Sequence, residues 1–185
     1  MNERPIVMSG DSVWAILNGW KTQDRRAVFK GDDNNHMPWR VGGTHWQDGD
    51  DPLQCPFAVG QRLWSREPLI GVIGTTIDPD EVMPICAYQS DGSHIWTKDK
   101  FREPWTWPTT TLPAASMPRR FSRLTLEIAN VRVERLQAIS DDDVRAEGSS
   151  SRDDYQAMWD DVNGKARPWS SNPWVWALTF KVVKS

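Results

Sequence analysis

From Arg123 to Leu136 the chain alternates apolar and polar side chains, with Leu124, Leu126 and Ile128 in one phase and Val131 and Val133 in the other. A period of two is that of a strand with one buried face. The change of phase at Ala129-Asn130 calls for one extra residue, a bulge or bend of the kind that lets a sheet curl and close into a barrel. The closing segment Trp174-Val175-Trp176-Ala177-Leu178-Thr179-Phe180-Lys181-Val182-Val183 is a second long strand, aromatic and β-branched. Shorter strands are expected at Pro5-Ile6-Val7-Met8, at Gly60 to Pro68, and at Pro84 to Tyr88. With 185 residues, one α+β domain around a single core is expected over residues 1–185.

Helices fill the gaps between these strands. Val13, Trp14, Ile16 and Leu17 recur at helical spacing, with Asp11 or Ser12 placed to cap the start and Gly19 placed to end it. The next residues, Gly19-Trp20-Lys21-Thr22-Gln23-Asp24-Arg25-Arg26, put an ammonium, a hydroxyl, a carboxylate and two guanidinium groups on a connection to a strand that begins at Arg26. A solvated basic turn and a functional cluster are both open readings of that stretch. Ser140-Asp141-Asp142-Asp143 opens a short helix that ends near Glu147-Gly148. A further helix, from about Asp153 to Val162, places Tyr155, Met158, Trp159 and Val162 on one face.

Two stretches resist any regular period. Residues Gly31 to Pro56 are rich in Asp, Asn, Gly and Pro, and Lys98 to Pro118 carries Pro104, Pro108 and Pro113, so both are expected to be long loops. Together they hold much of the tryptophan, including Trp39 and Trp107. The chain has twelve tryptophans, each able to bury roughly 150–250 Å². That exceeds what one small core takes, so some are expected to line a cavity for a planar ligand, with Trp39, Trp64 and Trp107 as candidates. Glu67 precedes Pro68, which keeps the chain extended there, so it either points from a strand end into a pocket or pairs with Arg66 or Arg26.

Charge narrows the partners. Lys and Arg number 22 against 25 Asp and Glu, a net charge of -3, which leaves no electrostatic footprint for duplex DNA or long RNA. No run approaches the ~20 apolar residues of a membrane span, and the first residues have no signal-peptide apolar region, so a cytosolic protein is expected. Cys55 and Cys86 are then expected as free thiols. His36, His45 and His94 form no ligand pair at helical spacing, and only a spatial meeting of His36, His45 and Cys55 would make a zinc site. No metal and no cofactor is expected.

Taken in order, the lysine turn, the strand Arg62-Leu63-Trp64-Ser65-Arg66-Glu67, the segment Ile139 to Gly148 and the closing Asn172-Pro173-Trp174-Val175-Trp176 resemble the ASCH-domain family. These are PUA-like β-barrels with flanking helices, and their longer versions often occur in phage and prophage genomes. The resemblance covers nearly the whole chain apart from the two tryptophan-rich loops. Relatives of the PUA-like group bind RNA or modified bases, and nuclease activity belongs to some of them. A small bacterial ASCH protein is an amidohydrolase that removes the acetyl group from N4-acetylcytidine with a lysine, a threonine three residues later and a glutamate.

On that pattern the lysine falls on Lys21 and the glutamate on Glu147, while the threonine position holds Asp24. Thr22 is adjacent to the lysine and does not match. The resemblance therefore implies a metal-independent amidohydrolase with Lys21, Asp24 and Glu147 as catalytic groups, and Arg26, Trp39, Trp64 and Glu67 against a modified cytosine nucleoside. A carboxylate cannot serve as the covalent threonine would, so Lys21 is expected as a cation that stabilises the oxyanion, with Glu147 moving the proton and Asp24 orienting. The reverse roles for the two carboxylates, and a nucleophilic Lys21, stay open. A module that binds RNA or a modified base without turnover is the alternative.

Overall fold

The computed structural model describes residues 3–28, 39–40, 45–48, 51–71, 86–95 and 110–183. The first part of the chain forms β1 (Arg4–Val7), α1 (Gly10–Leu17), β2 (Gln23–Ala27), β3 (Trp39–Arg40), β4 (His45–Asp48), β5 (Asp51–Gln54) and β6 (Arg62–Arg66). The remainder forms β7 (Leu69–Gly71), β8 (Cys86–Tyr88), β9 (His94–Ile95), β10 (Thr111–Leu112), β11 (Thr125–Arg135), α2 (Asp141–Ala146), α3 (Arg152–Asn163) and β12 (Trp174–Val183).

The two long strands make the spine. β11 and β12 pair antiparallel along their length, and the register shifts between Ile128 and Asn130, where the sequence changes phase. The extra residue keeps Ile128 opposite Phe180, Val131 opposite Leu178 and Val133 opposite Trp176, so both apolar phases meet the same face. Around this pair the sheet runs β1-β6-β11-β12-β2, with β1 parallel to β6 and the other pairings antiparallel. On one face Leu63, Leu126, Ile128 and Phe180 bury against Val13 and Ile16 of α1 and Ile6 of β1. Leu136, Ile139 and Val175 bury instead against Val144 of α2 and Tyr155 and Trp159 of α3. Each fully buried Leu or Ile contributes about 1.5–3 kcal/mol.

Several expectations change in detail. The fold is mixed α+β, but no closed barrel forms among the described residues, because no backbone ladder joins the edge strands β1 and β2. A side chain spans that gap: Arg26 Nη2 on β2 donates to the Val7 carbonyl at the end of β1, at 2.7 Å. The 31–56 stretch is not all loop, since β3, β4 and β5 form a three-stranded antiparallel sheet within it. A four-stranded sheet, β10-β7-β8-β9, takes in the Thr111-Leu112 part of the second stretch. Ser9, not Asp11 or Ser12, caps α1, by accepting from the Ser12 N–H. Among the described residues, no helix is long and apolar enough to cross a membrane.

Candidate functional site

Lys21 is placed by the ends of three elements. Gly19, at φ 76°, closes α1 in the left-handed region that glycine tolerates, and the N–H groups of Trp20 and Lys21 both donate to the Ala15 carbonyl. One residue later Thr22 donates to Ala146 at the end of α2 and accepts from Phe180 of β12. The turn is thereby sewn to α2 and to the sheet. Gly148, at φ 84°, lets α2 end against it, for a Cβ there would stand 3.3 Å from the Lys21 Cβ.

The stretch after Lys21 is strand earlier than its composition suggests. β2 starts at Gln23, not Arg26, so Asp24, Arg25 and Arg26 alternate across the sheet. Asp24 lies opposite Leu178 and Arg26 opposite Trp176, while Arg25 lies opposite Ala177 and turns to the helical side. The cluster is not a solvated turn: Lys21, Asp24, Arg25 and Glu147 are 3, 8, 5 and 3% exposed.

Five charges interlock. Lys21 Nζ donates to Glu147 Oε2 at 2.5 Å and to the Glu147 carbonyl at 3.2 Å, and pairs with Asp24 Oδ1 at 3.3 Å. Arg25 Nη1 donates to Glu147 Oε1 at 2.8 Å. Arg26 Nε donates to Asp24 Oδ2 at 2.5 Å. Each carboxylate thus lies between two cations, and every N–H of the Lys21 ammonium faces an acceptor. A second rank holds Arg25: its Nε and Nη2 donate to Glu134, and Nη2 also to Asp143, which accepts in turn from Gln23 and Arg132.

Burial alone would push the Lys21 ammonium down, but Glu147 and Asp24 outweigh it and hold its pKa above the ordinary 10.5. Lys21 is a cation at neutral pH, which disfavours the nucleophilic role. Burial pushes Asp24 up, but Arg26 and then Lys21 outweigh it, leaving the carboxyl below its ordinary 3.8. A carboxyl depressed on folding stabilises the fold above its unfolded value, near 3.9, and loses that contribution as pH falls through the lower folded value. Asp24→Asn should therefore be less stable than the parent at pH 6, with the gap closing as pH falls below about 4. Urea midpoints at pH 6 and pH 3 measure this, and a gap that does not change between them contradicts it.

The cluster floors a cleft of about 410 Å³, within the range of small-molecule sites. The end of β1 and its following loop, Val7 to Ser9, form one wall, and Met158, Trp159 and Val162 of α3 another. The α3 face expected from spacing divides in two. Tyr155 and Trp159 are buried, while Met158 and Val162 are 37 and 69% exposed along the cleft.

Of the residues singled out in sequence, Lys21, Asp24, Glu147 and Arg26 meet in this cleft. Trp64 and Glu67 do not line it. The Trp64 ring is 7% exposed and flanked by the Arg66 and Arg119 guanidinium groups, 4.7 and 5.6 Å from its centroid, which leaves no free face for stacking. Glu67 is fully buried and bound by Arg123, Nε and Nη2 each donating at 2.8 Å, so its partner is neither Arg66 nor Arg26. Trp107, His36 and the side chains of Trp39, His45, Cys86 and His94 lie outside the described residues. Burial pushes the Cys55 thiol up, which disfavours its thiolate form. Sequence reasoning gave no site role to Arg25, Glu134, Asp143 or Tyr155.

No protein-family model matches the sequence, and no curated protein matches it. A crystal structure of a protein from Enterococcus faecalis V583, of the family DUF984, aligns over 99% of this chain and 82% of its own at 10% identity, with a TM-score of 0.46. A likeness at that level carries no functional argument.

Proposed function

We propose that the chain is an amidohydrolase that removes the acyl group from N4-acylated cytosine nucleosides, giving the cytosine nucleoside and a carboxylic acid, on a PUA-like, ASCH-type scaffold. The observation that carries this reading is the buried Lys21–Glu147–Asp24 cluster at the floor of a nucleoside-sized cleft. Buried charges are costly to assemble, and three of them aimed at one cavity are better explained by chemistry than by stability.

In this reading a water between the acyl carbon and Glu147 is deprotonated by the Glu147 carboxylate and adds to the carbonyl. The carbonyl electron pair moves onto oxygen, next to the Lys21 cation. Collapse re-forms the carbonyl and breaks the C–N bond, while Glu147 passes the proton to the leaving exocyclic amine. Each Glu147 oxygen accepts from one cation and keeps a lone pair for water. Asp24, held below the ordinary carboxylate range, is a weak base and suits the role of fixing Lys21. Arg26 ties that wall of the cleft to β1 and lies within reach of a ribose or base. Met158 and Val162 supply an apolar rim for the acyl group or the base.

One observation favours the alternative, a module that binds a modified base or RNA without turnover: all three Lys21 donors are already engaged. Lys21→Ala separates the two. Hydrolysis lost, with binding of N4-acetylcytidine retained within threefold, supports the enzyme. Binding lost equally, from a parent that never released cytidine, supports the reader.

A further inference from the structure

Tyr155 presents a donor to the cleft that no described residue receives. It sits in the first turn of α3, is 1% exposed, and lines the cavity with Lys21, Asp24 and Glu147. Its ring is braced edge-to-face by Trp169, with centroids 6.0 Å apart. Among the described residues its hydroxyl makes no hydrogen bond. The hydroxyl is not sealed from solvent and opens on the cleft, so it is available there to an occupant that can accept a hydrogen bond.

The surroundings define what that occupant must offer. Burial, and then the Glu147 charge, push the phenol well above its ordinary pKa, so the group stays neutral and keeps its proton. Neither Glu147 nor Asp24 accepts from it: the side-chain partners of the two carboxylates are Lys21, Arg25 and Arg26. Lys21 has no donor to spare either. A carbonyl oxygen on a ligand is the complement of this arrangement.

We propose that Tyr155 donates its hydroxyl hydrogen bond to the acyl carbonyl oxygen of the substrate and holds the oxyanion that forms there. The inference rests on the amidohydrolase reading and assigns Tyr155 as a further catalytic residue of that site. When water adds to the acyl carbon, the displaced electron pair settles on the oxygen that Tyr155 faces, and the phenol keeps its proton throughout. Lys21 then acts through charge at close range, without giving up its contacts to Glu147 and Asp24. The donor is preformed, so little reorganisation accompanies the reaction.

The test is Tyr155→Phe, which removes the hydroxyl and leaves the packed ring. The expected result is a kcat about 100- to 1,000-fold lower on N4-acetylcytidine, KM within threefold, and a Tm equal to or above the parent's. A purely structural tyrosine would instead lower Tm. A kcat within threefold of the parent overturns the proposal. A parent that binds N4-acetylcytidine by calorimetry without releasing cytidine defeats the hydrolase reading alone. The donor is then judged by affinity: Tyr155→Phe binding at least tenfold weaker supports it, and equal binding overturns it. A parent that neither binds nor hydrolyses the compound overturns both.

Discussion

Arg25→Met should cost the fold about 3–5 kcal/mol, the range expected when a buried ion pair loses one partner. The Arg25 side chain is fully buried, and its guanidinium touches Glu134, Asp143 and Glu147. Asp143 keeps Arg132 and Gln23 as donors, but Glu147, with its side chain 1% exposed, would be left with Lys21 alone. The methionine fills much of the same volume and adds no charge, so the loss reports the stranded carboxylates. Urea denaturation at pH 7 measures it, as a lower midpoint at unchanged slope. A change under about 1 kcal/mol would mean that the network contributes as little as an exposed surface pair does.

Glu147→Gln should lower kcat on N4-acetylcytidine by about 10²- to 10⁴-fold, the usual contribution of a positioned acid–base group. The amide keeps the size of the side chain and the oxygen for Lys21, but it cannot accept a proton from water at neutral pH. It also turns a donor toward either Lys21 or Arg25, both of them cations, so some stability is lost as well. Glu147→Asp retains the charge while shortening its reach, and should fold yet remain at least tenfold slower than the parent. Steady-state release of cytidine by each variant is the measurement. A Glu147→Gln protein with the parent's kcat would remove Glu147 from the proton path and pass that role to Asp24.

Local patterns were the legible part of this molecule. The bulge in β11 follows from a change of phase that a period of two cannot absorb. The end of α1 follows from Gly19, and the ends of α2 from Ser140 and Gly148, because caps are decided by one or two residues. Barrel closure was not legible, since whether β1 meets β2 depends on edges that lie far apart in sequence. The start of β2 was misplaced for a different reason. Gln23, Asp24 and Arg25 have poor strand character, and they are strand here because buried ionic partners on α2 and β11 receive them.

The site divides along the same line. Lys21 and Asp24 are neighbours in sequence, whereas Glu147 comes from the family resemblance and no spacing could have supplied it. Arg25 was in view as a residue but not as a direction, for a strand polar on both faces gives no cue to which side each residue serves. Tyr155 shares its helical face with Trp159 and reads as core; only the missing hydrogen bond sets it apart. Trp64 was mistaken for a stacking platform because one of the two arginines covering it, Arg119, lies 55 positions away.

The most direct test of the account is to incubate the purified, chelator-treated protein with N4-acetylcytidine and with N4-benzoyl-deoxycytidine and to follow release of the free nucleoside by chromatography. The account predicts release from at least one of them, slowed by at least about 100-fold in Lys21→Ala and in Glu147→Gln. Release from neither, with Lys21 as buried and as tightly paired as it is here, would contradict the hydrolase and leave the cleft as a binding site.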